Sequence, residues 1–263
     1  MIHPLSRITR RITRRRRRRG NSVSSCSEYE RCPRRYRYGY VDRLPYDRPV
    51  PESWRYGTVV HRALEVAYCA RGNGAALVTA EPAAIAALRA AWLAEFMPSD
   101  AAELAGAEEL VHETLVADRF GASETLGVEH RFHARVGDLP FSGIADLVVR
   151  RDARTVEIVD HKVTRSTHTE EQLCRDPQLN LYGRFARREW PWAERVLATH
   201  HYPVLARTVT VELTEASMTA AVSRLAELAR RARADVVFAP SPGPECANCP
   251  WAARCPAVRA TAA

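Results

Sequence analysis

Lysine is all but missing from this chain: of 39 lysines and arginines, Lys162 is the only lysine. A composition this biased uses arginine wherever any surface cation will serve. The exception marks a position that needs a compact, rotatable ammonium whose pKa can be tuned. Also missing is an apolar run near the roughly 20 residues of a membrane helix, so no membrane partner is expected. No GxxxxGK[ST] segment occurs, so the chain carries no P-loop ATPase of its own. No secretory signal is visible. With seven cysteines, that points to a reducing, cytoplasmic compartment, where cysteines are more often metal ligands than disulfides.

What is present is unevenly distributed. Residues 1–20 hold nine arginines and no acid, which leaves 30 basic against 31 acidic residues in the remainder. The net charge of +8 is therefore misleading, and any positive groove has to come from local clustering. Residues 1–21 are low-complexity and expected to be disordered, since like charges repel and nothing there can form a core. Three readings of that tail stay open: a nonspecific nucleic-acid anchor, a transit-like leader, or extra translated sequence ahead of the domain. Residues 22–263 read as one domain, and a 46% apolar composition is enough for a sizeable core.

The pattern along that domain is mixed. Ser25-Cys26-Ser27-Glu28 has capping-box spacing and predicts a short helix reaching Cys32-Pro33. RRYRYGY then interleaves arginines with Tyr36, Tyr38 and Tyr40, a mixture that suits phosphates and stacked bases as well as an ordinary amphipathic surface. Leu44 to Trp54 is proline-rich and reads as loop. A helix is expected from Gly57 to about Cys69, and two alanine-rich amphipathic helices near 82–96 and 100–120 form a helical insert over about 75–120. Residues 124–163 switch to strand alternation. Asp176-Pro177 starts a helix with an N-cap carboxylate and proline at its first position, and that helix places Gln178 and Tyr182 on one face. Two strands, about 195–204 and 207–213, and an arginine-rich helix, 215–234, complete the body.

Two constellations carry chemistry. In TVEIVDHKV, Val156, Ile158, Asp160 and Lys162 share one side of a strand. The preceding strand puts Ile144, Asp146 and Val148 on one face, so an antiparallel pairing brings Asp146 next to Asp160. Two carboxylates meeting there can hold Mg2+ or Mn2+, which polarises a phosphoryl oxygen and acidifies a bound water. Lys162 would position that water or stabilise the charge developed during attack. His61 is a further ligand candidate, imidazole suiting Mn2+ better than Mg2+. Histidines 130, 133, 161, 168, 200 and 201 read as structural. The bland alternative is an ordinary strand-end ion pair.

The second constellation is Cys246-x-x-Cys249-x5-Cys255, three thiolates in a C-terminal cysteine-rich loop. Cys32 is the best fourth, since it shares the Cys-Pro context of Cys249-Pro250 and Cys255-Pro256. Four thiolates suit zinc or a 4Fe–4S cluster, and spacing does not choose between them. Linking residue 32 to residue 255 would clasp the two ends of the domain, so metal binding would contribute to folding. Cys26, Cys69 and Cys174 lie in helix-like contexts and read as buried or idle.

Taken together, Cys32-Pro33, Gly57-x3-His61, Gly143-x2-Asp146, Asp160-x-Lys162, Gln178-x3-Tyr182 and the closing cysteines resemble the PD-(D/E)XK nuclease superfamily. The resemblance is closest to its RecB/AddB-like iron–sulfur branch, which includes CRISPR-associated RecB-like exonucleases, and it covers about residues 22–257. It implies an α/β fold with a restriction-endonuclease-like core: a central mixed sheet flanked by helices, plus the insert and the cysteine-rich loop. It implies His61, Asp146, Asp160 and the backbone carbonyl of Val163 as metal ligands and Lys162 as the catalytic lysine. Gln178 and Tyr182 would shape the site and contact the DNA strand. Cys32, Cys246, Cys249 and Cys255 would bind a structural 4Fe–4S cluster, with zinc as the alternative. Glu129 stands where relatives often carry an acid. His161, between Asp160 and Lys162, departs from the usual residue but faces away.

The activity implied is Mg2+- or Mn2+-dependent hydrolysis of DNA, as an exonuclease on single-stranded or free ends, on nucleoid DNA. It would act in repair, recombination or CRISPR-type processing, beside a helicase or recombination partner. The competing expectation is a non-catalytic DNA-binding accessory protein with the same staple.

Overall fold

The structure, a computed structural model, describes residues 20–96 and 101–261. The arginine-rich tail expected over residues 1–21 lies almost wholly outside the described residues, so its three readings are untouched. The described chain begins with helix α1 (Val23–Arg31). Its capping box is Ser22 with Ser25 at the third helical position, one turn earlier than the Ser25–Glu28 box that the spacing suggested. Glu28 is instead spent on Arg35, at 2.5 Å. Cys32 breaks the helix, and α2 (Pro33–Tyr36) runs into a π-helical turn (Arg37–Asp42).

Helix α3 (Glu52–Gly72) starts earlier than expected, because Glu52 to Trp54 already belong to it behind Pro51. A carboxylate in the first turn favours that start. Helices α4 (Leu77–Glu95) and α5 (Ala101–Ala117) form the insert. Helix α4 corrects one expectation: by length and composition it is long and apolar enough to cross a membrane. Its Leu77, Ala80, Ala84, Leu88 and Trp92 are buried against α3 and α5, while Val78 and Leu93 on the opposite side are exposed.

Strands β1 (Glu124–Val136), β2 (Leu139–Asp152) and β3 (Thr155–His161) form an antiparallel meander. Helices α6 (Glu170–Cys174) and α7 (Pro177–Glu189) follow. They cross over to β4 (Arg195–Tyr202), which lies parallel to β3, and β5 (Arg207–Glu212) closes the sheet antiparallel to β4. Helix α8 (Glu215–Ala234) and the C-terminal α9 (Pro256–Thr261) complete the described chain. The sheet order is β1-β2-β3-β4-β5, and one parallel contact makes it mixed.

Every residue of β3 is buried, because helices cover both of its faces. Val156 and Ile158 join a core with α7 and α8, whereas Val159 joins a second core with α3, α4 and α5. The period-2 alternation of the strand therefore feeds two apolar layers. The resulting α/β architecture, a mixed five-strand sheet flanked by helices, is the restriction-endonuclease-like core that the sequence implied. Two consequences follow for the site. Side chains near the end of β3 escape both cores, and helices from opposite layers, α3 and α7, meet there.

Candidate active site

The sheet register builds the site. Leu147 pairs with Val159 across β2 and β3, and Val128 with Leu147 and His130 with Ala145 across β1 and β2. Continued by one residue, the register sets Asp146 opposite Asp160 and Glu129 opposite Asp146. On the far side, β4 places His200 opposite Asp160. One row across four strands thus carries Glu129, Asp146, Asp160 and His200. Glu129 reaches its place with a φ of 46°, an uncommon conformation for a residue with a side chain.

Three of the donor side chains converge, and Asp160 is not among them. Candidate ligand atoms of His61, Glu129 and Asp146 all lie within 4.8 Å of one another, and His61 Nδ1 stands 3.5 Å from Asp146 Oδ2. Asp160 is gripped from two sides: Gln178 Nε2 donates to its Oδ1 at 2.8 Å, and Lys162 Nζ reaches its Oδ2 at 2.5 Å. A mixed imidazole and carboxylate set of this kind fits Mg2+ or Mn2+. Sequence reasoning gave Glu129 little weight, yet it is the third member of the tightest group of candidate ligands among the described residues.

Local structure positions each side chain. Helix α3 supplies His61. The backbone N–H of His161 donates to Asp146 Oδ2 at 2.7 Å, which fixes that carboxylate. The backbone N–H of Lys162 donates to the carbonyl of His201 at 2.7 Å, holding the strand end down. Val163 follows, with its side chain beside Gly57 of α3. Asp176 caps α7 by accepting from the N–H groups of Gln178 and Leu179, each at 2.8 Å, so the cap and the site contact through Gln178 share one helix end.

Tyr182, one turn further along α7, is 6% exposed, and its hydroxyl accepts from the N–H of Ile144 at 3.1 Å. Gly143 makes room for it: a Cβ there would fall 2.1 Å from the Tyr182 ring. Gly143 and Tyr182 are thus two halves of one contact that holds β2 against α7 just before Asp146. Gly143→Ala is expected to destabilise the fold by about 1–3 kcal/mol and to lower activity by shifting Asp146. Thermal unfolding and initial rates check this. Adding Tyr182→Leu should restore stability, and a double-mutant cycle showing simple additivity would rule the contact out.

Charge follows from burial and proximity. Burial first, and then the charge of Asp160, push Asp146 up to about 8, against the opposing pull of the His161 N–H bond. Burial also lowers His61, leaving it available as a neutral ligand. Burial pulls Lys162 down, but the charge and hydrogen bond of Asp160 outweigh it and raise its pKa, so the ammonium stays charged. His161, expected to face away, is buried and stacks on Tyr68 with ring centroids 5.5 Å apart, its Nδ1 2.9 Å from that of His201. His200 differs from the other discounted histidines. Its Nε2 comes within 3.8 Å of Asp160 Oδ2, while its Nδ1 lies 3.2 Å from both His168 Nδ1 and the Tyr202 hydroxyl. No local signal in the sequence separates it from its neighbour His201.

The four cysteines singled out by spacing gather far from this row in sequence. Cys32, Cys246, Cys249 and Cys255 line one cavity of about 270 Å³ together with Arg31, Arg34 and Arg35. Cys26 is buried and Cys69 exposed, and neither lines that cavity, nor does Cys174.

No curated protein matches the sequence. Among solved structures, one described as "Putative exonuclease" from Eubacterium rectale superposes with a TM-score of 0.55 and 10% identity, covering 91% of this chain and 86% of that one. The crystal structure of SSO0001 is 19% identical over 88% of this chain and 84% of that chain, with a TM-score of 0.39. The first of these likenesses shows a common fold. The model of the PD-(D/E)XK nuclease superfamily matches residues 21–256, which takes in every site residue named above, and the chain belongs to that superfamily of nucleases.

Proposed function

We propose that this nuclease hydrolyses DNA with the help of a divalent cation, Mg2+ or Mn2+, held by His61, Asp146 and Asp160, with Glu129 and the Val163 carbonyl completing the set. The observation that carries this is the row Glu129–Asp146–Asp160 on three neighbouring strands, with the lone lysine at its end. A cation bound there would polarise a phosphoryl oxygen and make a bound water more acidic. Asp160, fixed by Gln178, orients Lys162. The ammonium of Lys162 then faces the phosphate and offsets the negative charge that builds up during attack. Tyr182 shapes the wall behind Asp146, and the polar end of Gln178 borders the bound strand.

The finer reading is a single-strand exonuclease of the RecB/AddB-like branch, acting on free ends of nucleoid DNA in the cytoplasm beside a helicase, recombination or CRISPR partner. Its support is the cysteine cavity. Cys32, Cys246, Cys249 and Cys255 around one cavity suit a 4Fe–4S cluster, with zinc as the alternative.

End-labelled single- and double-stranded DNA incubated with Mn2+ tests the activity. Shortening of the labelled strand that stops on chelation is the expected result, and no cleavage of either substrate refutes the reading. For the staple, protein prepared without oxygen is expected to be brown and to contain iron. Cys249→Ser should lose the colour and melt at lower temperature. A colourless protein carrying stoichiometric zinc would reverse the cofactor assignment.

A further inference from the structure

A larger cavity, of about 690 Å³, opens beside the first turn of α3, and its walls are aromatic and basic. Trp54, Tyr40 and Tyr46 line it with Arg31, Arg35 and Arg43, against one carboxylate, Glu28. Trp54 is 57% and Tyr46 46% exposed; large rings left this open to water in one concave patch indicate a binding surface. Glu28 is already shared by Arg35 and Arg31, and Arg31 also pairs with Glu245. Arg43 forms no ion pair among the described residues. The backbone places Arg43 deliberately: it closes the π-helical turn with a φ of 55°, its N–H donating to the carbonyl of Tyr38. Left-handed non-glycine residues and π-turns both concentrate at functional positions.

The back wall is Trp251, from the cysteine-rich loop. Its ring lies so close to Gly39 that a Cβ there would come within 3.0 Å. Its Nε1 donates to the carbonyls of Leu44 and Pro45, at 3.3 and 3.1 Å, and Tyr46 meets it edge-on at 5.1 Å. The loop that carries three of the four clustered cysteines therefore also holds the aromatic wall.

Helix geometry connects this cavity to the catalytic row. Trp54 and His61 are seven residues apart on α3, so they share one face about 10 Å apart along the axis. Gly57 lies between them on that face, and its missing side chain leaves the backbone bare beside Val163, where a Cβ would stand 4.0 Å from the valine Cβ.

We propose that the cavity binds the unpaired bases next to the scissile phosphate of a single strand, with Trp54 and Tyr46 as stacking platforms and Arg43 as a phosphate clamp. The inference rests on the nuclease reading and adds to it a place where strandedness is sensed. A ring face can stack only on a base whose own face is free, which a duplex does not offer. Arg31 and Arg35 are shared between Glu28 and Glu245, so among the described arginines of the cavity Arg43 is the one left to face the polyanionic backbone of the same strand.

The test uses the full chain and a fluorescein-labelled oligothymidylate. Anisotropy in the presence of chelator reads binding without cleavage, and hydrolysis of bis(p-nitrophenyl) phosphate with Mn2+ reads the catalytic row alone. Trp54→Ala is expected to weaken oligothymidylate binding roughly tenfold, the loss of one stacked base. Arg43→Ala should lower the slope of log affinity against log salt by about 0.7. Both variants should raise KM on the oligonucleotide and leave hydrolysis of the small ester unchanged. If both bind and cut oligothymidylate as the wild type does, or if wild-type protein binds duplex as tightly as the single strand, the cradle is refuted and the nuclease reading stands. If the wild type hydrolyses neither substrate, the two fall together.

Discussion

Asp160→Asn is expected to abolish nucleolysis, with a fall on the order of 10³-fold or more in initial rate on Mn2+-supported substrate, while the chain still folds. The substitution preserves shape and leaves an Oδ1 that can still accept from Gln178, whose Nε2 lies 2.8 Å from the native oxygen. What it removes is charge. That charge is one of the acidic groups of the row, and it is the partner that holds Lys162 at 2.5 Å. The ammonium loses its anchor, but its side chain is 33% exposed. Water compensates much of that loss, and a stability cost of about 1 kcal/mol is all the broken pair should produce. A large loss of rate with a small shift in melting is therefore the signature.

The companion variant asks why the chain keeps its only lysine there. Lys162→Met should cost on the order of 10²-fold. Lys162→Arg should not recover the activity, because a flat, forked guanidinium cannot occupy the place of a compact ammonium beside Asp160. Wild-type rates from Asp160→Asn, or full recovery with arginine at 162, would show that this pair has no part in the reaction.

How far this site was legible in the sequence depends on how local each cue was. The Asp146–Asp160 pairing could be read because β2 and β3 are joined by a tight turn, and alternation alone puts both carboxylates on one face. The α7 cap was equally plain, since Asp-Pro announces it. Glu129 was harder. The pairing of β1 with β2 shifts register between Thr125 and Gly127, and the left-handed conformation at Glu129 itself breaks the period that a sequence pattern assumes. His200 was beyond reach. Its place opposite Asp160 depends on a parallel pairing formed only after a 33-residue crossover, from His161 to Arg195, and nothing local distinguishes His200 from His201. The errors at α1 and α3 have a different origin. Both Ser22 and Ser25 satisfy the N-cap chemistry, and proline just ahead of Glu52 reads as loop although Pro51 only precedes the helix. Another cue went unread: the Thr169–Gln172 capping box starts α6 in a stretch that gave no helical expectation.

The pH dependence of stability should expose Asp146 directly. In the unfolded chain its carboxyl titrates near 3.9, whereas in the folded protein burial, with Asp160 next to it, pushes it up to about 8. Between those values the folded state holds a proton that the unfolded state has released. The cation-free protein therefore loses stability as pH rises through this window, by about 1.4 kcal/mol for each unit. The slope should vanish below about 4 and above about 8. This is the reverse of a salt-bridged carboxylate, and the cause is burial beside a second carboxylate. Because a divalent cation takes only the deprotonated carboxylate, its affinity should climb about tenfold per pH unit until Asp146 is ionised. The melting shift produced by Mn2+ should grow in parallel.

Asp146→Asn isolates the effect. The amide is neutral at every pH and keeps an oxygen to accept the His161 N–H, 2.7 Å away in the native pair. Denaturant unfolding in chelator at pH 5 to 8 should show a flatter profile for the variant, which should exceed the wild type near pH 8 by on the order of a few kcal/mol. Yet this more stable protein should be inactive and should gain little from Mn2+. Wild-type and variant curves that run parallel across that range would mean that Asp146 is ionised without a cation, and the row would then carry no stored electrostatic tension. The opposite result would show why Asp146→Asn can stabilise the fold: in the cation-free chain, ionising Asp146 means charging a buried carboxyl beside Asp160.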